Sequence, residues 1–181
     1  ERWAASGVTA LYHFANGAET TDSSGNGYTL TNSGSTPFNT YRFGQAAHFS
    51  SGKYLYASSN LGLNPSSGSM TFVFQFMVTS QPSSNTIYGL MALERATNAG
   101  MVHIGYCNDG GTYKMIVRWC TDEETWAGSA TVTLTLNAWN VCEVQLASGG
   151  SGRLVLNGAT IATLTRGAHN TVVSNTFRIG E

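Results

Sequence analysis

Apolar residues recur along this chain in short runs that alternate with polar ones, and clusters of Gly, Asn and Ser break the runs at intervals of roughly 8 to 12 residues. Almost nothing repeats at the helical period of about 3.6. The pattern predicts strands near residues 10–14, 46–49, 54–57, 70–79, 86–93, 101–107, 112–120, 131–136, 140–147, 153–156, 160–164 and 176–179. Two breaks carry turn chemistry of their own. Asn108-Asp109-Gly110-Gly111 and Asn157-Gly158 supply residues that tolerate positive φ, which tight hairpin turns between twisted strands require.

Successive side chains of a strand point to opposite faces, so alternation also assigns an inside and an outside. Tyr113, Met115, Val117 and Trp119 form one apolar set, with Lys114, Ile116 and Arg118 opposite. Cys142, Val144 and Leu146 form another, which leaves Val141, Glu143 and Gln145 outside. Phe72, Phe74 and Phe76 make an aromatic row suited to the centre of a core. An all-β chain of this kind folds as two packed antiparallel sheets, and no linker or repeat divides it, so a single domain over residues 1–181 is expected.

Several segments together resemble the laminin-G-like, concanavalin A-like jelly-roll family of extracellular modules. Leu11-Tyr12-His13-Phe14 is similar to the family's opening strand, and Asp22-Ser23-Ser24-Gly25-Asn26-Gly27 to its most recognisable loop. Arg42-Phe43-Gly44-Gln45-Ala46-Ala47-His48-Phe49, Tyr54-Leu55, the aromatic strand from Met70 to Thr79, Asn137-Ala138-Trp139-Asn140-Val141 and Gly152-Arg153-Leu154-Val155-Leu156-Asn157-Gly158 follow in the family's order and spacing. The resemblance implies a jelly-roll β-sandwich. It also implies a further closing strand beyond Phe177-Arg178-Ile179-Gly180, beside the opening strand, which the 181 residues do not contain. Either that strand lies outside this sequence or a neighbouring chain, including a second copy, supplies it along Leu11-Tyr12-His13-Phe14.

Charged residues are only 10% of the chain and the formal charge is −1, so there is no basic excess to neutralise a phosphate backbone or an anionic membrane. No apolar run approaches the 18 or so residues that span a bilayer. Cys107, Cys120 and Cys142 lack zinc or redox spacing; buried free thiols or a Cys120–Cys142 bridge both fit.

Candidate chemistry is sparse. A glycosidase needs two carboxyl groups about 5 to 5.5 Å or about 6.5 to 9.5 Å apart, which alternating acids on one strand provide. Asp122-Glu123-Glu124 is consecutive, so it splits across two faces or lies in a loop, and His13, His48, His103 and His169 are dispersed. No enzyme is expected. Asp22 and Asn26 are candidate calcium ligands, as hard cations need several oxygens, and a backbone-capping turn is the alternative. A glycan would need an aromatic platform and planar polar groups: Trp126, Tyr54 and Tyr56 supply the first, and Lys114, Arg118, Glu143 and Gln145 the second if their strands are neighbours. The expected function is a secreted or virion-surface recognition module for carbohydrate; the alternative is a structural subunit of a phage virion, appendage or filament, interlocked by strand pairing.

Overall fold

The computed structural model describes residues 7–41, 44–59, 61–63, 68–94, 100–119, 127–166 and 176–180. Thirteen strands are assigned among them: β1 (Thr31–Ser33), β2 (Phe38–Tyr41), β3 (Gly44–Ala47), β4 (Tyr54–Ala57), β5 (Met70–Met77), β6 (Thr86–Glu94), β7 (Gly100–Asp109), β8 (Thr112–Arg118), β9 (Gly128–Thr131), β10 (Trp139–Leu146), β11 (Ser151–Leu156), β12 (Ala159–Thr165) and β13 (Thr176–Ile179). They form a seven-stranded sheet in the order β1-β4-β13-β6-β7-β8-β9, a four-stranded sheet β12-β11-β10-β5 and a small hairpin β2-β3. Every pairing is antiparallel. The fold is the expected β-sandwich.

Both turns with positive-φ chemistry are two-residue hairpin loops. Asp109 pairs with Thr112 across Gly110 and Gly111 (φ 57° and 93°), and Leu156 pairs with Ala159 across Asn157 and Gly158 (φ 51° and 84°). Two successive positive φ values twist the hairpin with the hand of its strands. The inner faces of the two large sheets meet in one apolar cluster. Leu55, Leu93, Ile104, Met115 and Val117 come from the seven-stranded sheet, and Phe72, Phe76, Cys142, Val144 and Leu154 from the four-stranded one. Phe72 and Phe76 are buried and Phe74 packs against the cluster at half-burial, as the aromatic row predicts.

Along one flank the sheets are stitched together. The Thr165 N–H donates to the Ala127 carbonyl (2.9 Å), and Gly128 lies so close to β12 that a Cβ there would stand 2.6 Å from both the Thr163 carbonyl oxygen and Leu164 Cδ2. A side chain at 128 would push the flank open.

The chain departs from expectation at two places. Residues 10–14 form no strand: the segment is held to the loop after it by side chains, and Phe14 has a φ of 52°. Pairing for residues 131–136 stops after Thr131, and Leu134 is buried outside any strand. Alternating apolar residues mark a half-buried extended segment, but a strand also needs a partner edge.

A row of polar side chains across the outer sheet face

The residues with most chemical content lie on the outer face of the seven-stranded sheet. Thr31, Tyr56, Arg178, Ala92, His103 and Arg118 stand opposite one another in successive strands β1, β4, β13, β6, β7 and β8. With neighbouring strands about 4.8 Å apart, the row runs about 24 Å. It faces outward because the residues flanking it, Leu55, Phe177, Leu93, Val102, Ile104 and Val117, are buried in the core. A β-bulge in β6 sets the register. The ladder pairs Gly89 with Gly105 and then Met91 with Ile104, skipping Leu90. Past the skip, Met91 and Leu93 turn inward while Ala92 and Glu94 turn outward.

Side chains on this face hold one another. Tyr54 shares the face with Tyr56, two residues on, and their ring centroids are 5.8 Å apart. The Arg178 guanidinium carbon lies 4.7 Å from the Tyr54 ring centroid, a cation–π contact. Its Nε is 2.8 Å from Glu94 Oε2, across the diagonal from β13 to β6. The side chains are only 25% (Arg178) and 13% (Glu94) exposed. An ion pair that far from water is rare on an outer sheet face, because removing charge from solvent costs free energy that the pairing must offset.

His103 is the second polar group out of place. Burial, and after it the positive charge of Arg118 opposite, push its pKa down to about 4. Its ring is therefore neutral above pH 5, with one nitrogen that donates and one that accepts. Nε2 is buried and has no hydrogen-bond partner among the described residues. A neutral imidazole beside a guanidinium suits a hydroxyl, which also both donates and accepts.

Four of the sequence candidates lie on this face, and two do not. Tyr54, Tyr56 and Arg118 belong to the row or border it. Lys114 is on the same side of β8 but four residues from Arg118, paired to Asp109 at 2.7 Å, whose hydrogen bond raises the lysine's pKa. Between them Ile116, also outward, is buried over Gly105, where a Cβ would meet it at 3.5 Å. Glu143 and Gln145 must be moved: β10 belongs to the four-stranded sheet, so they lie on the opposite outer face and cannot share a surface with Lys114 and Arg118. There Gln145 donates to Glu143 and accepts from Arg153 Nε at 2.6 Å, a ladder in the open beside Val73 and Val141, which are 63% and 41% exposed. Trp139 lies at the end of that face, its ring edge-on to Tyr41 at 5.4 Å. Trp126, Cys120 and Asp122-Glu123-Glu124 lie outside the described residues.

Glu94, His103 and Arg178 escaped the sequence reading. Their signal was present: Arg178 and Glu94 are single charges inside otherwise apolar strands, a placement that demands a partner.

Asp22 and Asn26 are engaged in holding the chain. Asp22 Oδ1 accepts the N–H groups of Leu11 (3.0 Å) and Ser24 (2.9 Å), and Oδ2 accepts from Tyr28 N–H (3.0 Å) and Ser24 Oγ (2.8 Å). Burial raises its pKa, but these four bonds outweigh that and keep the carboxyl below the usual range. Asn26 Nδ2 donates to the carbonyls of Val8 (3.2 Å) and Thr9 (3.0 Å). Donors surrounding a carboxylate complete an anion's shell and leave little for a cation. Among the described residues no three His, Cys, Asp or Glu side chains gather as metal ligands. Cys107 and Cys142 are free and buried, so the Cys120–Cys142 bridge is not formed. Burial pushes the Cys142 pKa up to about 12, which removes its reactivity.

No protein-family model and no curated protein matches the chain. Solved structures do. Domain 4 of AbnA, a GH43 extracellular arabinanase from Geobacillus stearothermophilus, in complex with arabinotriose, is similar at a TM-score of 0.69 and 15% identity, over 94% of this chain and 82% of that one. The binding domain of Paraclostridial Mosquitocidal Protein 1 gives 0.64 and 15%, over 88% of this chain and 41% of that one. A carbohydrate esterase from the Shiga toxin-encoding bacteriophage phi24B gives 0.57 and 12%, over 83% and 81%. At such identities the likeness is one of fold.

Proposed function

We propose that the chain is a non-catalytic, extracellular recognition module of the laminin-G-like, concanavalin A-like kind, which binds carbohydrate on the outer face of its seven-stranded sheet. The row Tyr56, Arg178, Ala92, His103 and Arg118, with Tyr54 and Glu94 beside it, carries this reading. Tyrosine faces accept the C–H side of a sugar ring, and the fixed guanidinium, carboxylate and imidazole groups address its hydroxyls. Ala92, small, central and only 6% exposed, puts no large side chain between them. Among the described residues Glu94 and Glu143 stand on opposite faces of the sandwich and form no carboxylate pair. The sugar-bound domain of the arabinanase supports the ligand class.

Titration against a panel of oligosaccharides that includes arabinotriose tests the reading. The Tyr54→Ala and Arg178→Ala variants should weaken binding at least tenfold, whereas Val141→Thr on the other face should not. A panel without a single binder to the folded chain would overturn it.

A second reading, a brick in a virion, appendage or filament joined by strand pairing to a neighbouring copy, is supported by the low charge and by the unpaired residues 10–14. Solution sizing tests it; a monomer at all concentrations contradicts it.

A further inference from the structure

Two Asn-Gly dipeptides stand in this chain, Asn26-Gly27 and Asn157-Gly158. Asparagine before glycine is the sequence in which a side-chain amide is most open to attack by the backbone, because a following residue without a Cβ leaves its peptide nitrogen unhindered. The two sites start alike. Gly27 and Gly158 have φ values of 77° and 84°, and a Cβ at either would meet nothing within 4 Å, so neither nitrogen is crowded. What separates the sites is how each carboxamide is held.

Asn157 is locked at three points. Its N–H donates to the Val141 carbonyl (2.9 Å), its Oδ1 accepts the Val141 N–H (2.8 Å), and its Nδ2 donates to Oδ1 of buried Asn140 (3.0 Å). The same residue carries the positive φ of a two-residue hairpin loop, so turning its side chain toward Gly158 disrupts a ladder end and a turn together. Asn26 is exposed in a loop outside any strand. Its Nδ2 rests on the carbonyls of Val8 (3.2 Å) and Thr9 (3.0 Å), in a segment that itself forms no strand. Its N–H reaches Ser24 Oγ only at 3.3 Å, and among the described residues nothing binds its Oδ1.

We propose that Asn26 is a site of spontaneous deamidation in the folded protein and that Asn157 is protected from it. The Gly27 nitrogen gives its proton to hydroxide and bonds to Asn26 Cγ, and the negative charge passes to Oδ1. The Cγ–Nδ2 bond then breaks, and Nδ2 leaves as ammonia with a proton from water. Water opens the cyclic imide that remains, at Cγ to give aspartate or at the backbone carbonyl carbon to give isoaspartate. The net change is one water in and one ammonia out, with no oxidation or reduction. A carboxylate accepts hydrogen bonds and donates none, so at position 26 it meets the Val8 and Thr9 carbonyls as acceptor against acceptor. Thr9 keeps Ser24 Oγ (3.2 Å) and Leu11 keeps Asp22 (3.0 Å), so the segment loosens from Val8 inward. Deamidation thus ages the molecule at one place, the anchorage of residues 8–11.

The test incubates the 181-residue chain at mildly alkaline pH, folded and in urea, and follows both dipeptides by peptide mapping. In the folded chain, aspartate and isoaspartate should accumulate at position 26 at least tenfold faster than at 157. In urea the two rates should agree within threefold, because the difference lies in the fold. Asn26→Gln, whose longer side chain closes an imide far more slowly, should abolish the more acidic species. Asn140→Ala frees Nδ2 of Asn157 and should raise the rate at 157 at least threefold while leaving that at 26 unchanged; if this variant does not fold, the urea comparison on the wild-type chain decides alone. The deamidated chain, separated by its added negative charge, should exchange the Leu11 amide at least threefold faster than the intact one. Equal rates at the two sites in the folded chain, a tenfold ratio that survives in urea, or an unchanged Leu11 amide would each overturn the proposal.

Discussion

The two outer faces of this sandwich are built from similar strands and treat polar groups in opposite ways. On the four-stranded sheet, Glu143, Gln145 and Arg153 hydrogen-bond to one another beside exposed Val73 and Val141, as on many solvated sheets. On the seven-stranded sheet an arginine and a glutamate with little exposure lock against a tyrosine, and a neutral histidine is buried beside a second arginine. Burying charge on the outer face of a sheet is a cost that stability alone does not explain. The difference is the ground for proposing the second face as the ligand's.

Acid should break the comparison most sharply. His103 titrates near 4 when folded and near 6.5 when unfolded, so between those values the unfolded chain binds the extra proton. Its contribution is therefore complete above about pH 6.5 and lost as the pH falls toward 4, a change on the order of 3 kcal/mol. Urea unfolding of wild type and His103→Gln across this window should show a steeper pH slope in wild type. Asp22, held below the usual carboxylate range, contributes stability that is present above its unfolded pKa and lost only at more acidic pH, so it leaves the window clear.

Smaller effects should separate the faces at neutral pH. Glu94→Gln takes the carboxylate from Arg178 and should cost about 2 kcal/mol, below the range for a fully buried pair because the arginine keeps some water. The matching Glu143→Gln on the open face should cost no more than about 0.5 kcal/mol. Smallest of all, Val73→Thr should shift stability within about 0.5 kcal/mol, as its side chain is 63% exposed. Equal losses for Glu94→Gln and Glu143→Gln in denaturant unfolding would erase the distinction.

Much of the scaffold was legible in the sequence because it rests on local rules. Asn157-Gly158 and Gly110-Gly111 fix their hairpins through positive φ, and alternation placed Met115, Val117, Cys142 and Val144 inside. Alternation says which way a side chain points within a strand but not which sheet the strand joins. For that reason Lys114 and Arg118 were grouped with Glu143 and Gln145, though β8 and β10 lie in different sheets. The bulge at Leu90 was equally hidden, and with it the turn of Glu94 to the outer face. Residues 10–14 have a strand's pattern, yet Asp22, Ser24 and Asn26 take up the backbone bonds on one side and, among the described residues, no strand supplies the other. Tyr54 and Tyr56 are candidates for an aromatic platform in the sequence, but their neighbour Arg178 comes from a strand more than a hundred residues later, which no local pattern connects to them.

The most direct test maps the ligand onto the two faces. Amide chemical shifts of the 181-residue chain, followed while the tightest-binding oligosaccharide of the panel is added, should move at Tyr54, Tyr56, Ala92, His103 and Arg178 and stay still at Val73, Val141 and Glu143. Shifts concentrated on the second group, with the first unmoved, would contradict the account.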